Sequence, residues 1–392
     1  MTAEAAAYIL IEDTPTLSRF VEDLKRCPEL AVDIEANSLH HYTERVSLIQ
    51  LTGREADGSL HHAILDPFSG ADVQLLAPLM ADPEVVIMFH GADYDVVSLK
   101  RDYGFTFTNL FDTMIAARAA GMERFGLADL VNGFFGVTLN KKYQKYNWGA
   151  RPLSKEALDY AHLDTRYLPE IVDLIMPKVV ENGRADMLEE ECRLLEKREW
   201  VGRVPGPDGY LQMKGAAKLP ENAQRVLREL YGLREKIAEK RDLPTFKVLG
   251  NDLLLTLARK APKNAQALEA VAGRTNRSVR RYGPEILDAV AAGLVSTEPL
   301  PTRKPAKGRR FTREDDQLFR VLRDWRNKHA KKEGVEPALV VNNHVLQESA
   351  ATRPTSVGEM AGVDGVRQWQ LNRYGEDIVA VINQFQSDGG SG

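Results

Sequence analysis

Near the start of the chain the apolar residues keep to two spacings. Tyr8 to Ile11 reads as a short strand, and Thr14-Pro15 then caps a helix whose Leu17, Phe20, Val21 and Leu24 fall at helical intervals. Leu30 to Ala36, Val46 to Thr52 and His62 to Leu65 read as strands joined by short loops, which predicts an antiparallel meander. The spacing then turns to helix, strand (Val85 to Phe89) and helix (Val96 to Tyr103), and stays mainly helical to about Arg198. An antiparallel start followed by αβ units predicts an α/β domain, a mixed sheet flanked by helices and not an all-parallel one.

Residues 201–220 are rich in Gly and Pro and read as a linker, beyond which the pattern is helical throughout. Sliding this C-terminal part on itself at an offset of 92 residues exposes a repeat. Leu230 meets Leu322, Arg234 meets Arg326, Ala238 meets Ala330, Val248 meets Val340 and Asn251 meets Asn343. Further on, Leu254 meets Leu346, Pro262 meets Pro354, Gly273 meets Gly365, and Arg281-Tyr282-Gly283 meets Arg373-Tyr374-Gly375, with no gap. A constant offset through so many apolar, Pro and Gly positions predicts two copies of one small all-α domain. Pro299 to Arg313 between them is Pro-rich and free of acids, a basic linker able to touch phosphates. The expected division is an α/β domain over 1–200, a linker over 201–220, helical domains over 221–297 and 314–386 separated by a linker over 298–313, and a flexible tail over 387–392.

At 392 residues the chain is long enough for two or three domains, and 43% hydrophobic with 28% charged residues is the balance of soluble globular protein. The net charge of −4 does not exclude nucleic acid, since only the contacting face has to neutralise phosphates. Cys27 and Cys192 stand far apart without a C-x-x-C pattern and are expected to be buried small residues in a reducing compartment. The start MTAEAAAYIL lacks the features of a signal peptide and no apolar run approaches a membrane span, so a cytoplasmic protein with no membrane partner is expected.

The candidate chemistry is carboxylate chemistry. Asp33 and Glu35 sit two apart on a strand, so the pleat projects both from one face. Beside Ala31, Val32 and Ile34, such a pair is costly unless a cation compensates it; the bland alternative is an edge strand with its acids in water. Phe89 to Asp95 lies where a strand gives way to a helix, a place that favours ligand groups; Asp93 there reads as a cap and Asp95 as facing inward. On the helix that follows Ser154, Tyr160 and Asp164 stack on one face while His162 points roughly opposite, which makes His162 a bystander. Phosphodiester hydrolysis combines these acids, because two divalent cations held by carboxylates absorb charge on both the attacking and the leaving oxygen. No GxxxxGK[ST], HExxH, GxSxG or paired CxxC is present, which argues against a nucleotide-driven motor or nucleotide cofactor, a zinc peptidase and a serine hydrolase.

With these residues in view the chain resembles the ribonuclease D family, within the exonuclease superfamily named for its four acids and, in this branch, a tyrosine. Val32-Asp33-Ile34-Glu35 looks like the first motif, with Ser47 to Leu51 as its companion strand. His90 to Asp95 is similar to the second motif, whose acid lies five residues after the histidine, which selects Asp95 over Asp93; Tyr160 and Asp164 meet the third. Phe111-Asp112-Thr113 and Trp148 to Leu153 also match, and the helical repeat resembles the HRDC module, a nucleic-acid-binding domain. The resemblance implies a ribonuclease-H-like fold and a 3′-to-5′ exoribonuclease that uses two divalent metal ions, Mg²⁺ or Mn²⁺. In it Asp33 bridges both ions, Glu35 and Asp164 complete the first site, Asp95 holds the second, and Tyr160 orients the attacking water. The expected partners are RNA 3′ ends, above all precursor tRNA, and the expected state is a monomer.

Weaker signals concern RNA contacts. Arg274, Arg277, Arg280 and Arg281 form the densest basic cluster of the first repeat and read either as a grip on RNA backbone or as a solvated face. The matching stretch of the second repeat offers Trp369, for which packing is favoured over base stacking. His40 and Tyr42, in the loop after the first acidic strand, are candidates for the terminal nucleotide. The pairs His40-His41 and His61-His62 are adjacent in sequence and so are not arranged as chelates. The competing readings are a 3′-to-5′ DNA exonuclease and a non-catalytic RNA-binding scaffold.

Overall fold

The computed structural model describes residues 7–202, 206–301 and 311–389. Its first part is built on six strands: β1 (Ile9–Ile11), β2 (Glu29–Ala36), β3 (Val46–Arg54), β4 (Leu60–Leu65), β5 (Val86–Phe89) and β6 (Leu110–Asp112). They lie in the order β1-β4-β3-β2-β5-β6. β2, β3 and β4 pair antiparallel, as their pattern predicts, while β1 joins β4, β5 joins β2 and β6 joins β5 in parallel. The mixed sheet expected from the sequence is the one that forms.

Helices α1 (Thr14–Leu24), α2 (Ala77–Met80), α3 (Asp93–Tyr103), α4 (Thr113–Ala119), α5 (Leu127–Phe135), α6 (Lys155–Arg166), α7 (Leu168–Glu181) and α8 (Ala185–Glu196) flank it. The pleat sorts side chains between two layers. Val32, Ile34, Ile49, Leu51, Ala63 and Leu65 enter the main core with Leu17 and Phe20 of α1 and Val96 and Leu99 of α3. On the opposite face Leu48 and Ile64 pack beneath Ala157, Leu158 and Ala161 of α6 and beneath Trp148. Two segments depart from the expected helical stretch. β6 has too few residues to show a period, and residues 137–154 form no helix and carry Tyr143, Tyr146 and Trp148 toward α6.

The C-terminal part consists of two helical units. The first holds α9 (Glu221–Lys240), α10 (Thr245–Val248), α11 (Asn251–Lys260), α12 (Ala265–Ala272) and α13 (Arg277–Val295). The second holds α14 (Arg313–Glu333), α15 (Pro337–Val340), α16 (Asn343–Thr352), α17 (Val357–Met360) and α18 (Gln368–Ser387). The repeat extends to a side-chain bond made by a buried arginine: Arg234 donates to Asn251 at 2.7 Å, and Arg326 donates to Asn343 at 2.8 Å. The stretch read as a linker over 201–220 is partly folded, since Tyr210, Met213, Ala216 and Leu219 are apolar enough to enter the core of the first unit. Of the basic linker over 298–313, residues 302–310 lie outside the described residues, and Thr312 already caps α14. α18 runs on through Ser387, into the expected tail, whose residues 390–392 lie outside the described residues.

Both units rest on the α/β domain. The first is held at the loop after β2, where His41 Nδ1 lies 2.6 Å from Asp242 Oδ2 and the Tyr42 backbone N–H donates to Asp242 Oδ1 at 3.0 Å. The second is held by α8: Glu190 accepts the backbone N–H groups of Gln368 and Trp369, both at 2.8 Å, and Glu191 accepts from Arg367 and the Trp369 indole. Trp369 is thus a packing residue. Cys27 and Cys192 are buried and free. Among the described residues no helix is long and apolar enough to cross a membrane.

Candidate active site

β2 places Asp33 opposite Gln50 of β3 and Glu35 opposite Leu48, so both acids stand on the sheet face that α6 covers. α6 reaches that face through Thr165, whose hydroxyl lies 2.9 Å from that of Thr52. Tyr160 and Asp164 precede it on the same helix. α3 supplies Asp95, only 8% exposed in its first turn. Ala92 caps that helix, and the exposed Asp93 turns outward to pair with Arg198.

The turn that delivers Asp95 is clamped from below by Asp112. Its buried carboxylate accepts the backbone N–H groups of Gly91 (3.1 Å) and Ala92 (2.7 Å) and also those of Met114 (2.8 Å) and Ile115 (3.1 Å), so one side chain caps α4 and fixes the β5–α3 turn. Gly91 takes a φ of +76°, and a Cβ there would meet Met114 at 2.8 Å. His90 Nδ1 lies 2.9 Å from the Thr113 hydroxyl, which donates to the Phe89 carbonyl, so the histidine braces the turn.

The acids act on one another. Burial, and then the charges of Asp33, Asp164 and Asp95, push Glu35 up to about 10. Burial raises Asp33 despite a bond from the Ile34 N–H. Asp164 is raised by burial and by Asp33 and Asp95, and Asp95 by burial and Asp33. Burial and the neighbouring Asp164, Glu35 and Asp33 also raise the Tyr160 phenol, which keeps its proton. Among the described residues none of these carboxylates forms an ion pair with Lys or Arg. Desolvated like charges without a counter-ion are the environment a cation relieves, and carboxylate oxygens are the donors that Mg²⁺ or Mn²⁺ prefers. Among the described residues no three His, Cys, Asp or Glu side chains close into a ready cage. Mg²⁺ does not need one, because it keeps water and takes one or two carboxylates together with substrate phosphate. The donor set therefore fits.

His162, expected from its helix position to be a bystander, is a core residue, 1% exposed. It stacks on Tyr8 with ring centroids 5.2 Å apart and meets His62 edge-on at 4.7 Å, and burial pushes both histidines down to about 4. Tyr42, expected at the terminal nucleotide, is instead spent on the first helical unit, its phenol bonding Glu235 at 3.1 Å as well as its N–H bonding Asp242. His40 is tied to the Lys145 carbonyl at 3.2 Å. Arg274, Arg277, Arg280 and Arg281 are all exposed on the first unit.

Two side chains of the site received no role from the sequence. Asp112 is one. Gln50 is the other: directly across from Asp33, fully buried, with neither amide atom hydrogen-bonded. Both lie in segments that match the family, Phe111 to Thr113 and Ser47 to Leu51, and that match was their only signal.

Comparison with known proteins agrees with this geometry. A 3′-5′ exonuclease family model matches residues 8–180, and the HRDC domain model matches twice, at 223–290 and 315–382. Exosome complex component 10 of Homo sapiens is 30% identical over 324 residues, 75% of this chain and 36% of that protein, so the chain spans about a third of that relative's length. Ribonuclease D of Gluconacetobacter diazotrophicus is 27% identical over 376 residues, 95% of this chain and 92% of that one. Among solved structures, Escherichia coli RNase D, described as an exoribonuclease involved in structured RNA processing, superposes with a TM-score of 0.70. It is 22% identical and covers 97% of this chain and 100% of its own, which shows the same fold. The catalytic core of RRP6 from Trypanosoma brucei gives a TM-score of 0.62 at 27% identity, over 76% and 82% of the two chains. Fold and site thus define a 3′-5′ exonuclease domain, of a metal-dependent family, joined to two HRDC domains. The chain belongs to the ribonuclease D family of exoribonucleases.

Proposed function

We propose that this chain removes nucleotides one at a time from RNA 3′ ends, as a cytoplasmic monomer that matures precursor tRNA and other stable RNAs. The observation that carries the reading is the gathering of Asp33, Glu35, Asp95 and Asp164, from β2, α3 and α6, where burial raises all four, Asp33 adds to the other three, and none forms an ion pair with Lys or Arg among the described residues. These residues would hold two divalent cations, Mg²⁺ or Mn²⁺, which supply positive charge at the attacking and leaving oxygens of the phosphodiester.

The remaining chemistry belongs to the chain's own groups. Tyr160 keeps its proton at neutral pH, so it orients the attacking water as a hydrogen-bond donor and does not act as the base. Asp112 and Gly91 hold the turn that fixes Asp95. Water attacks phosphorus, the bond to the 3′ oxygen of the preceding nucleotide breaks, and a 5′-mononucleotide leaves. Arg274, Arg277, Arg280 and Arg281 serve as a further contact to RNA phosphates.

The test is an assay of purified protein on a 3′-extended structured RNA with Mg²⁺ or with chelator. Mononucleotide release that needs the metal is expected, and Asp33→Asn should abolish turnover while RNA still binds. Full activity of that variant would remove the two-metal account, and faster degradation of a matched DNA oligomer would replace RNA as the substrate.

A further inference from the structure

Beside the acids lies a cavity of about 590 Å³, bounded by Tyr160 and Asp164 on the catalytic side and by Asn140, Lys142, Tyr143 and Lys155 elsewhere. That volume is of nucleotide size. Tyr143 comes from the non-helical segment between α5 and α6. Its ring is set 5.5 Å from that of Tyr160 and 5.3 Å from that of Tyr146, centroid to centroid, so packing fixes its orientation while it still lines the cavity. The exposed Lys142 ammonium stands 5.3 Å from the Tyr143 ring centroid and has no acidic partner among the described residues. Lys155 differs, being bound to Asp159 at 2.7 Å.

Charge sets the direction in which a bound strand leaves. The catalytic end of the cavity is acidic, and of the two further acids in its lining, Glu156 and Asp159, the second is paired with Lys155. Lys141, Lys142 and Lys145, all exposed, continue the same segment, and Lys141 lines an adjoining cavity that shares Leu139 with this one. A terminal nucleotide has a single phosphate to place, whereas the retained strand brings one phosphate per step and calls for successive cations along its path. An aromatic face suits the position next to the cut, because stacking accepts any base and the residue there changes after every cycle.

We propose that this cavity binds the nucleotide on the 5′ side of the scissile phosphate of a single-stranded RNA 3′ end, its base against Tyr143 and the following phosphate against Lys142. The assignment rests on the exonuclease reading above. It makes Tyr143 and Lys142 binding residues for the retained strand, with no part in the bond-breaking step.

The experiment compares wild type, Tyr143→Ala, Tyr143→Phe and Lys142→Ala on two substrates in Mg²⁺. One is a short single-stranded RNA. The other is the p-nitrophenyl ester of a ribonucleoside 5′-monophosphate, which carries a terminal nucleotide and a scissile bond but no retained strand. Tyr143→Ala should raise KM for RNA about tenfold with kcat held, and should leave the ester kinetics unchanged. Tyr143→Phe should behave as wild type. Lys142→Ala should flatten the dependence of log KM on log salt by about 0.7 on RNA alone. Equal damage by Tyr143→Ala on both substrates, or none on either, would overturn the assignment. So would an unchanged salt dependence in Lys142→Ala, whose exposed side chain can be removed without disturbing the fold. A wild-type protein inert toward both substrates is a different result, since it would sink the exonuclease reading itself.

Discussion

An ionised carboxylate in a desolvated site must be paid back by a cation or a proton, and Glu35 shows which is at hand in the free protein. Burial first, and the charges of Asp33, Asp164 and Asp95 second, lift its titration to about 10. The folded chain then holds a proton that the unfolded chain releases at an ordinary carboxylate pKa, so between the two values stability falls as pH rises. Below the unfolded value both states are protonated and the penalty vanishes. In chelator, Asp33→Asn should therefore melt a few degrees above wild type at about pH 8, with the difference shrinking toward about pH 5. Mg²⁺ at about pH 8 should raise the melting temperature of wild type more than that of the variant, because it offsets the repulsion the variant has already lost. Calorimetry across that range checks both signs, and a gap that widens toward low pH would count against a mutually repelling cluster. The acids themselves were legible in the sequence, since Asp33 and Glu35 share a face by strand period and Tyr160 and Asp164 by helical period. Gln50 was not. Nothing in its own strand tells which neighbour it will face, and only the pairing of β3 with β2 sets it against Asp33.

Among elements, those with several periods of pattern were readable and the short ones were not. β2 ends at Ala36, as its pattern predicts, while α1 begins at Thr14 itself because Asp13, and not Thr14, caps it. β6 runs only from Leu110 to Asp112, and what makes it matter is its last residue. Asp112 serves two elements at once, and its removal leaves the buried Ala92 N–H and the first turn of α4 without acceptors. A lost cap costs about 1 kcal/mol and each orphaned buried donor about 1–3 kcal/mol, so Asp112→Ala should cost roughly 3 kcal/mol or more in denaturant unfolding. Activity should fall further than the folded fraction does, because the same bonds hold the turn that presents Asp95. A variant that unfolds easily but keeps full turnover per folded molecule would show that Asp95 is placed by something else. The segment over 137–154 shows the opposite limit. Its Lys and Tyr residues carry no period, and the position of Tyr143 and Tyr146 beside α6 follows from packing against Tyr160 and Trp148.

For the whole molecule, the repeat at an offset of 92 residues foretold two similar units but not their different use. The internal Arg-to-Asn bond is common to both, whereas the surface at the start of the last helix is not. In the second unit that surface is closed by α8, with Glu190 on the N–H groups of Gln368 and Trp369 and Glu191 on Arg367. In the first unit the same offset puts Arg277 where the second has Trp369, and Arg274, Arg277, Arg280 and Arg281 stay exposed. No inspection of either copy by itself reveals this, because the partner acids lie some 180 residues earlier in the chain. The two units should therefore fail differently. Replacing Arg277 and Arg280 by Glu should weaken RNA binding and reduce its salt slope by at least about 0.7 per lost contact, with an unchanged melting temperature. Glu190→Ala should instead speed amide hydrogen exchange at the start of α18 and lower the melting temperature, while RNA affinity holds. If charge reversal on the first unit left RNA affinity intact, or loss of Glu190 left α18 equally protected, the division between an open unit and a docked one would have to be given up.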